Sequence, residues 1–251
     1  MPQPLISIIT VCYNAASAIE VTLQSVCGQS WPALEYIIID GASSDDTLEI
    51  VRRYEKRISR IVSEKDRGIY DAMNKGLQLA TGEFVLFMNA GDVFHSTDTI
   101  EKVFATPGDY DLRYGETLFV NAVGEPQGTM SAIRHRKLPA QLSWRSMRFG
   151  MVVGHQSVFV RRSIAPLFDL AHPSSGDIDW LIRTLKNTRP ERTLNTGLII
   201  SDFRLDGFSQ QQRSLSHKDR YRVLKKHHGW LPNLFNHAFI FLKAAWFRIF
   251  A

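Results

Sequence analysis

Apolar runs alternate with stretches of helical spacing along the first hundred residues of the chain. The runs occupy residues 5–11, 34–39, 58–63 and 83–88. Their length and their content of β-branched residues are typical of buried parallel strands. Between them, apolar residues three and four positions apart predict helices over residues 17–29, 48–58 and 69–80. This order predicts an α/β fold with a mostly parallel sheet flanked by helices.

The pattern is weaker beyond residue 105. It predicts strands over residues 118–123, 154–162 and 194–203, and helices over residues 177–186 and 217–228. The last of these helices is basic, and residues 234–250 after it are almost wholly apolar and aromatic. We therefore expect a C-terminal amphipathic helical tail over residues 213–251.

Composition is that of an ordinary globular protein. The 251 residues are 44% hydrophobic and 22% charged, which excludes a disordered or collagen-like chain. Cys12 and Cys27 both lie in apolar, regular segments, so we expect a reducing cytosol rather than a secreted disulfide framework. The N-terminal segment lacks a basic leader, and we expect no signal peptide.

The net charge of +5 conceals an asymmetry between the two halves of the chain. Residues 1–130 contain 10 lysines and arginines against 18 aspartates and glutamates, whereas residues 131–251 contain 20 against 7. An acidic half joined to a basic half suggests carboxylates placed for a metal or for chemistry, and cations that face something anionic. Nucleic acid, phosphate esters and anionic lipid all fit that charge.

Polar side chains follow the predicted strands, at the edge where open α/β sheets bind their ligands. Asp40 follows the second strand, Asp66 the third, and Asn89 and Asp92 the fourth. Any one of them could simply cap a helix, but all of them together favour a ligand site. The chain has neither GxGxxG after the first strand nor GxxxxGK[ST] anywhere, so a bound nucleotide would need side chains for its nucleoside. Its diphosphate would need a divalent metal, for which Asp92 is the candidate ligand.

A series of short motifs resembles the family 2 glycosyltransferases, most closely bacterial members that build exopolysaccharides and other surface glycans. Within residues 5–95 the motifs are dense, and they occupy residues 7–14, 40–47, 64–76 and 87–92. The resemblance then returns in patches, at residues 154–159, 177–183 and 203–209. Each patch alone is weak, but their order along the chain makes the resemblance specific.

The resemblance implies a GT-A fold that transfers a sugar from a nucleotide-sugar donor, most commonly UDP-linked, with Mg²⁺ or Mn²⁺ on the diphosphate. It implies that residues 1–105 bind the nucleotide sugar and that residues 106–212 form the acceptor-binding half of the same domain. The residues implied at the nucleotide are Thr10, Tyr13, Asn14, Asp40, Ser43 and Asp66. The metal motif, usually Asp-x-Asp-Asp, has Asn89 and Gly91 in place of two carboxylates, which leaves Asp92 as the anionic ligand.

The resemblance also implies a general base at Asp177, where the motif is usually Glu-Asp and here is Gly176-Asp177. Such a base takes the proton of the acceptor hydroxyl as it attacks the anomeric carbon. The alternative is that Asp177 only caps its helix. Asp179 is the rival base, but we interpret it as structural, a charge at the start of a helix. The residues expected near the acceptor or the donor sugar are Asn89, Gly91, His155, Gln156, Asp179 and Trp180.

The composition of the tail predicts contact with a membrane. Its apolar part, residues 234–250, is interrupted by polar residues and is shorter than the roughly 20 apolar residues of a membrane span. Aromatic residues with scattered cations favour a helix in the membrane interface, so we expect residues 230–251 to hold the protein on a membrane surface. A helix packed on the domain or on a second subunit is the alternative.

The resemblance implies an inverting glycosyltransferase, and we expect it to act on a lipid-linked or growing glycan acceptor, peripheral on the inner face of the cytoplasmic membrane. Two alternatives stay open. A nucleotidyltransferase or nucleotide-sugar hydrolase on a similar sheet would not need the segment around Asp177. A non-enzymatic protein could bind nucleic acid or another anionic surface through the basic half. No nucleic-acid motif supports the latter, and we expect no nucleic-acid partner.

Overall fold

Strands and helices alternate along the chain, as predicted. The computed structural model describes residues 3–204 and 213–235, except for the side chains of residues 213–216. The strands are β1 Ile6–Cys12, β2 Leu34–Asp40, β3 Arg60–Ser63, β4 Phe84–Phe87, β5 Val93–Phe94, β6 Leu112–Val120, β7 Pro126–Thr129, β8 Val158–Arg161 and β9 Thr193–Arg204. The helices are α1 Ile19–Cys27, α2 Thr47–Arg52, α3 Ile69–Leu79, α4 Thr99–Phe104, α5 Met130–Ile133, α6 Gly176–Lys186 and α7 Arg213–His228.

The first four predicted strands form a parallel sheet in the order β3-β2-β1-β4. Cys12 lies opposite Asp40, and Asp40 lies opposite Ser63. Because β1, β2 and β3 end level with one another, the loops that follow them open onto one edge of the sheet. That edge receives the polar residues expected to bind a ligand.

The sheet continues beyond β4 with mixed pairing, in the order β8-β6-β9-β5. Strand β8 runs antiparallel to both β4 and β6, β9 runs parallel to β6, and β7 pairs antiparallel with β6. One mixed sheet therefore joins residues on both sides of residue 105. The division into two halves of one domain and a tail stays a prediction.

Helices cover both faces of the sheet. One apolar layer includes Leu77 of α3, Leu181 of α6 and Leu224 of α7. The other layer includes Leu23 of α1 and Val51 of α2. Successive residues of a strand point to opposite faces, so a strand covered on both sides must be apolar throughout. This is why β1 and β2 are mostly apolar in the sequence, with Ser7, Thr10 and Glu35 as buried polar exceptions.

The strand predicted over residues 118–123 is displaced in the structure. It corresponds to β6, which covers Leu112–Val120. A turn follows, in which Asn121 Oδ1 accepts hydrogen bonds from the backbone amides of Val123 and Glu125. Asparagine forms such turns readily, because its side chain can replace a backbone acceptor.

The predicted basic helix is α7, and it is part of the folded body. Val223 and Leu224 on this helix are fully buried. The chain is helical again over residues 230–235. Most of the predicted interfacial helix, residues 236–251, lies outside the described residues. In the ranges 3–204 and 213–235, no helix is long and apolar enough to cross a bilayer.

Candidate functional site

Two of the residues expected at the nucleotide meet at the carboxyl edge of the parallel strands. A Cβ atom at Gly41, after β2, would lie 2.5 Å from Asp66 Oδ2 and 3.3 Å from Tyr13 Cδ2. Glycine therefore lets both side chains approach the end of the strand. Tyr13 is 64% exposed, so its ring is open to a planar ligand. Tyr13 and Asp66 thus frame a surface that could receive a nucleoside.

Asn14, Asp40 and Ser43 lie at the same edge, but their polar atoms are occupied locally. The Ser43 hydroxyl donates to Asp40 Oδ1, and the Ser43 amide donates to Asp40 Oδ2 over 3.0 Å. Asp40 is fully buried and also accepts from the Ser63 hydroxyl at 2.7 Å. Asn14 has a φ of 47°, and its Oδ1 accepts from the Ser44 amide at 2.9 Å. In the structure these residues fix the loop after β2, and their expected contact with the nucleotide stays a prediction.

Three further predicted site residues lie in the interior, and their expected places at the nucleotide and near the acceptor or donor sugar stay predictions. Thr10 is fully buried and donates its hydroxyl to the Met88 carbonyl at 2.6 Å. Trp180 is 1% exposed and stacks on Phe168. Gln156 is buried as well. A large aromatic ring such as that of Trp180 stabilises a core strongly. The motif that contains Trp180 does not reveal from sequence that the ring is buried.

The loop expected to hold the metal, residues 89–92, is fixed by helix α1. The Thr22 hydroxyl donates to the Asp92 carbonyl at 2.8 Å and accepts from the Gly91 amide at 2.9 Å. Gly91 has a φ of 98°, a conformation that glycine adopts without strain. The turn therefore uses glycine at a position where the related motif usually has a carboxylate.

Asn89 and Asp92 offer oxygen atoms for a cation in this loop. Asp92 is 6% exposed, and burial raises the pKa of its carboxyl to about 8, an effect that a backbone hydrogen bond from Asn89 partly offsets. Asn89 Oδ1 is buried and has no hydrogen-bond partner among the described residues. Burial of such an unpaired oxygen is costly, and Mg²⁺ and Mn²⁺ prefer oxygen ligands. The residues present therefore fit a divalent cation.

Asp177 lies at the start of α6. Its Oδ1 accepts a hydrogen bond from the Tyr70 hydroxyl at 3.4 Å, and its Oδ2 lies 3.9 Å from His155 Nδ1. The Asp177 side chain is 27% exposed, so another molecule can reach it. A Cβ atom at Gly176 would lie 2.7 Å from Tyr70 Cε2. The glycine that replaces the usual glutamate thus leaves room for the tyrosine ring.

His155 connects Asp177 to the metal-motif loop. It lies in a 3-10 turn, His155–Ser157, which replaces the beginning of the strand predicted over residues 154–162. His155 Nε2 lies 3.1 Å from Asn89 Nδ2, within hydrogen-bonding distance, and His155 Nδ1 is on the side of Asp177. Burial lowers the pKa of His155, although the Asp177 charge opposes this. A neutral imidazole therefore bridges the two groups.

Asp179 faces the other side of α6. It is fully buried and accepts hydrogen bonds from Arg183 at 2.6 Å, His227 at 2.8 Å and Lys226 at 3.1 Å. Burial alone would raise the pKa of Asp179, but the hydrogen bonds from His227 and Arg183 hold it far below its usual range. These contacts support the interpretation of Asp179 as a structural residue that attaches α7 to α6.

Asp179 also belongs to a group whose geometry would admit a metal. Ligand atoms of Asp169, His172 and Asp179 lie within 4.8 Å of one another. Asp169 pairs with Lys226 at 2.9 Å, and His172 pairs with Asp219 at 3.0 Å. Because basic side chains already neutralise both carboxylates of the group, a metal would have to displace them. The electrostatics therefore favour the loop over residues 89–92 as the cation site.

Sequence reasoning assigned no role to Tyr70 or Thr22. Burial raises the pKa of Tyr70, and the charge of Asp177 raises it further. The Tyr70 hydroxyl therefore stays protonated and donates to Asp177. Tyr70 lies within the motif over residues 64–76, and that position could have drawn attention to it. No local signal identifies Thr22, because its role depends on how α1 packs against a distant loop.

Comparison with known sequences finds relatives over most of the chain. A family model described as "Glycosyl transferase family 2" matches residues 7–165. A PGL/p-HBAD biosynthesis glycosyltransferase of Mycobacterium bovis is 30% identical over 197 residues, which are 74% of this chain and 72% of the relative. TuaG of Bacillus subtilis, a glycosyltransferase named for teichuronic acid biosynthesis, is 42% identical over 103 residues, 40% of each protein.

Solved structures share the fold at lower sequence identity. S. aureus TarS 1-349 in complex with UDP-GlcNAc has a TM-score of 0.67 and 19% identity; the match covers 87% of this chain and 64% of that one. Glucosyl-3-phosphoglycerate synthase from Mycobacterium tuberculosis, bound to Mn²⁺, UDP and glucosyl-3-phosphoglycerate, has a TM-score of 0.61 and 16% identity. That match covers 90% of this chain and 80% of the synthase. The predicted GT-A-type fold is confirmed.

Proposed function

Because the chain belongs to glycosyl transferase family 2 and is a glycosyltransferase, we propose that it transfers a sugar from a UDP-sugar to a surface-glycan acceptor with inversion. The acceptor is a lipid-linked or growing glycan of a bacterial surface. The names of two relatives, which refer to PGL/p-HBAD biosynthesis and to teichuronic acid biosynthesis, support this class of acceptor.

The line of contacts from the metal-motif loop to Asp177 is the observation on which the proposal depends. Asn89 contacts His155 at 3.1 Å, and His155 lies 3.9 Å from Asp177. A sugar transferase needs a site for the donor diphosphate and a base on the acceptor side, with the anomeric carbon between them. A nucleoside-binding protein without transfer activity has no need for an accessible carboxylate opposite the diphosphate site.

The donor side is the carboxyl edge of β1, β2 and β3. Tyr13 offers an exposed ring for the base, and Asp66 beside Gly41 offers a carboxylate for nucleoside hydroxyl or imide groups. Two solved structures with this fold hold UDP or UDP-GlcNAc, which supports uridine as the base. Asp40 acts indirectly in this account, because its hydrogen bonds with Ser43 and Ser63 shape the loop beneath the nucleoside.

Asn89 and Asp92 would hold the divalent metal, Mg²⁺ or Mn²⁺. The unpaired Asn89 oxygen and the buried Asp92 carboxylate support this role, and a synthase with the same fold is bound to Mn²⁺. When bound, the cation supplies positive charge that stabilises the leaving diphosphate. Because burial raises the pKa of Asp92 to about 8, apparent Mn²⁺ affinity should rise by about tenfold from pH 6 to pH 7 and by a smaller factor from pH 7 to pH 8.

Asp177 takes the proton of the acceptor in the proposed reaction. The acceptor oxygen forms a bond to the anomeric carbon from one face, and the bond from that carbon to the diphosphate oxygen breaks on the other face. The acceptor proton moves to an Asp177 oxygen, and the diphosphate leaves with the bonding electron pair. A single displacement with one base inverts the anomeric configuration.

We also propose that residues 230–251 hold the enzyme on the inner face of the cytoplasmic membrane. The described part of this segment supports the proposal with four exposed apolar side chains, Trp230, Leu231, Leu234 and Phe235. Apolar and aromatic residues beside cationic helix positions favour an anionic membrane interface. Deletion of residues 230–251 should move the protein to the soluble fraction with UDP binding intact, whereas a protein that stays in the pellet would contradict this part of the proposal.

The decisive experiment incubates the purified protein with a panel of nucleotide sugars, in Mn²⁺ and in EDTA, and measures release of sugar and of nucleotide. We expect slow, Mn²⁺-dependent hydrolysis of a UDP-sugar to UDP and free sugar, with water in place of the acceptor. Asp92→Asn should lose the metal dependence. Asp98→Asn, which alters a carboxylate six positions along that pairs with Lys102, is the matched control and should retain it.

Other products would favour the alternatives. Release of sugar 1-phosphate and UMP would indicate a nucleotide-sugar hydrolase, and incorporation of a nucleotide from a triphosphate would indicate a nucleotidyltransferase. Salt-sensitive RNA binding without UDP binding would indicate a non-enzymatic protein. Full metal-dependent turnover by Asp92→Asn would show that the metal is held elsewhere.

A further inference from the structure

Three arginines from distant parts of the sequence meet around one loop beside the proposed active site. They are Arg134 and Arg136, which follow α5, and Arg220 of α7, and together we call them the arginine cluster. The loop is the segment over residues 146–151, which leads to His155. Neither the nucleotide site nor the proposed base uses these residues.

Each arginine of the cluster contacts the backbone of the loop. Arg134 Nη1 donates to the Met151 carbonyl at 2.8 Å, and Arg136 Nη1 donates to the Gly150 carbonyl at 3.4 Å. A Cβ atom at Gly150 would lie 3.6 Å from Arg220 Cδ, so the arginine stem lies over that glycine. The three guanidinium groups are therefore neighbours in space although they are far apart in sequence.

The charge of Asp177 acts on Arg134 from a distance, but no described carboxylate pairs with the cluster. None of the three forms an ion pair within the described part of the chain, and the buried Nε–H of Arg220 has no hydrogen-bond partner among described residues. Burial lowers the pKa of Arg220, and the pKa of Arg134 is lowered by surrounding protein and further by Arg220. The side chain of Arg134 nevertheless remains exposed to solvent, so a soluble anion can reach it. Concentrated like charge of this kind destabilises a fold unless an anion offsets it.

The cluster lies within reach of the proposed reaction centre. His155 follows Met151 by four positions, so the backbone between them spans at most about 14 Å. The charge of Asp177 opposes the lowering of the pKa of Arg134, which is consistent with this proximity. An acceptor whose hydroxyl faces Asp177 could therefore place a second group, a short saccharide away, against the arginines.

We infer that the arginine cluster binds a phosphate group of the acceptor, next to the hydroxyl that Asp177 deprotonates. The inference rests on the proposed transfer to a glycan acceptor and adds the chemical class of that acceptor. Guanidinium groups bind phosphate oxygens through paired, charge-assisted hydrogen bonds. Three guanidinium charges match a diphosphate or phosphomonoester better than a single carboxylate, because such a phosphate carries more than one negative charge.

The test measures binding of inorganic pyrophosphate by calorimetry, in EDTA, so that the metal-dependent donor site does not contribute. We compare wild type with the double variant Arg134→Gln/Arg220→Gln. Each charge-assisted hydrogen bond that is lost weakens binding by roughly 10- to 100-fold, so the double variant should bind at least about tenfold more weakly. UDP binding in Mn²⁺ should be unchanged, which also shows that the variant is folded.

Arg222→Gln is the matched control, because Arg222 is an exposed arginine on the same helix as Arg220. It should bind pyrophosphate as wild type does. Equal losses in Arg222→Gln and in the double variant would overturn the inference in favour of diffuse charge on α7. Loss of UDP binding together with pyrophosphate binding would also overturn it, because the arginines would then hold the donor diphosphate.

Vesicles distinguish an acceptor phosphate from a membrane headgroup. The double variant should sediment with phosphatidylglycerol vesicles as wild type does. A tenfold loss of vesicle binding, with pyrophosphate binding intact, would overturn the inference and assign the arginines to the membrane. Absence of pyrophosphate binding in wild type, with Mn²⁺-dependent UDP binding intact, would refute this inference and leave the proposed function standing.

Discussion

The two faces of helix α6 place the same residue type in opposite surroundings. On one face, Asp177 is partly exposed and contacts a tyrosine hydroxyl and an imidazole, and no lysine or arginine of the described residues pairs with it. On the other face, Asp179 is fully buried and bound by an arginine, a lysine and a histidine. An α-helix has 3.6 residues per turn, so a step of two residues rotates the side chain by about 200° around the helix axis, to nearly the opposite face.

This contrast shows what makes a carboxylate suitable for proton transfer. A base must be ionised and must have an oxygen that a substrate can reach. Asp179 is held ionised, but its oxygens are occupied by the contacts that fix α7. Asp177 keeps an accessible oxygen, and Tyr70 and His155 orient it without neutralising it.

The largest effect should follow from Asp177→Asn. The amide keeps the shape of the side chain but cannot accept the proton, so kcat should fall by about 10²–10⁴-fold. The affinity for UDP should hardly change, because the loss falls on the chemical step. Initial rates of donor hydrolysis and a UDP titration check both parts. Near-normal turnover in Asp177→Asn, with loss in Asp179→Asn, would assign the base to Asp179.

Asp179→Asn should act on stability instead. Removal of one partner of a buried ion pair leaves its cations uncompensated, and we expect a loss of about 3 kcal/mol in the free energy of unfolding. This is the low end of the usual range, because Lys226 and Arg183 keep partial access to water. Urea unfolding measures it, with Asp177→Asn as the comparison, expected within about 0.5 kcal/mol of wild type. Equal losses in both variants would contradict the contrast between the two faces.

The stabilising effect of Asp179 should also depend on pH. Its folded-state pKa lies below the unfolded value of about 3.9, so its contribution is present above that pH and disappears as the pH falls towards the folded-state pKa. The difference in unfolding free energy between wild type and Asp179→Asn should therefore be about 1 kcal/mol smaller at pH 3 than at pH 6. A difference that grows on acidification would show that burial rather than the cations sets the pKa of Asp179.

A smaller effect should follow from Tyr70→Phe. The substitution removes one long hydrogen bond to Asp177 and keeps the ring that packs on Gly176. A hydrogen bond of about 1 kcal/mol corresponds to a roughly fivefold lower kcat, with UDP affinity unchanged. A loss as large as that of Asp177→Asn would mean that Tyr70 takes part in proton transfer itself.

The first half of the fold could be predicted from sequence, and the second half only in part. Strands β1, β2 and β4 are covered on both faces, so each is a largely apolar run whose ends are easy to place. Strand β6 includes Arg113, Gly115 and Glu116, and it pairs with β9 from far along the chain. A half-polar strand paired at long range has no local pattern, which is why β6 was displaced and β7 was not predicted.

For the candidate site, the sequence predicted individual residues but not how they are arranged in space. The motifs indicated Asn89, His155 and Asp177, but the line of contacts that joins them depends on how three separate segments pack. The burial of Thr10 and Trp180 has the same origin. A sequence motif marks a position, and only tertiary packing decides whether its side chain faces a ligand or the core.

The anomeric configuration of the first-formed product tests the central claim most directly. A UDP-sugar that the enzyme hydrolyses in Mn²⁺ should be followed by proton NMR, before the free sugar mutarotates. A single displacement assisted by Asp177 predicts that an α-linked donor yields the β-anomer first. Initial release of the α-anomer would require a different mechanism and would contradict the assignment of Asp177 as the one base of a direct displacement.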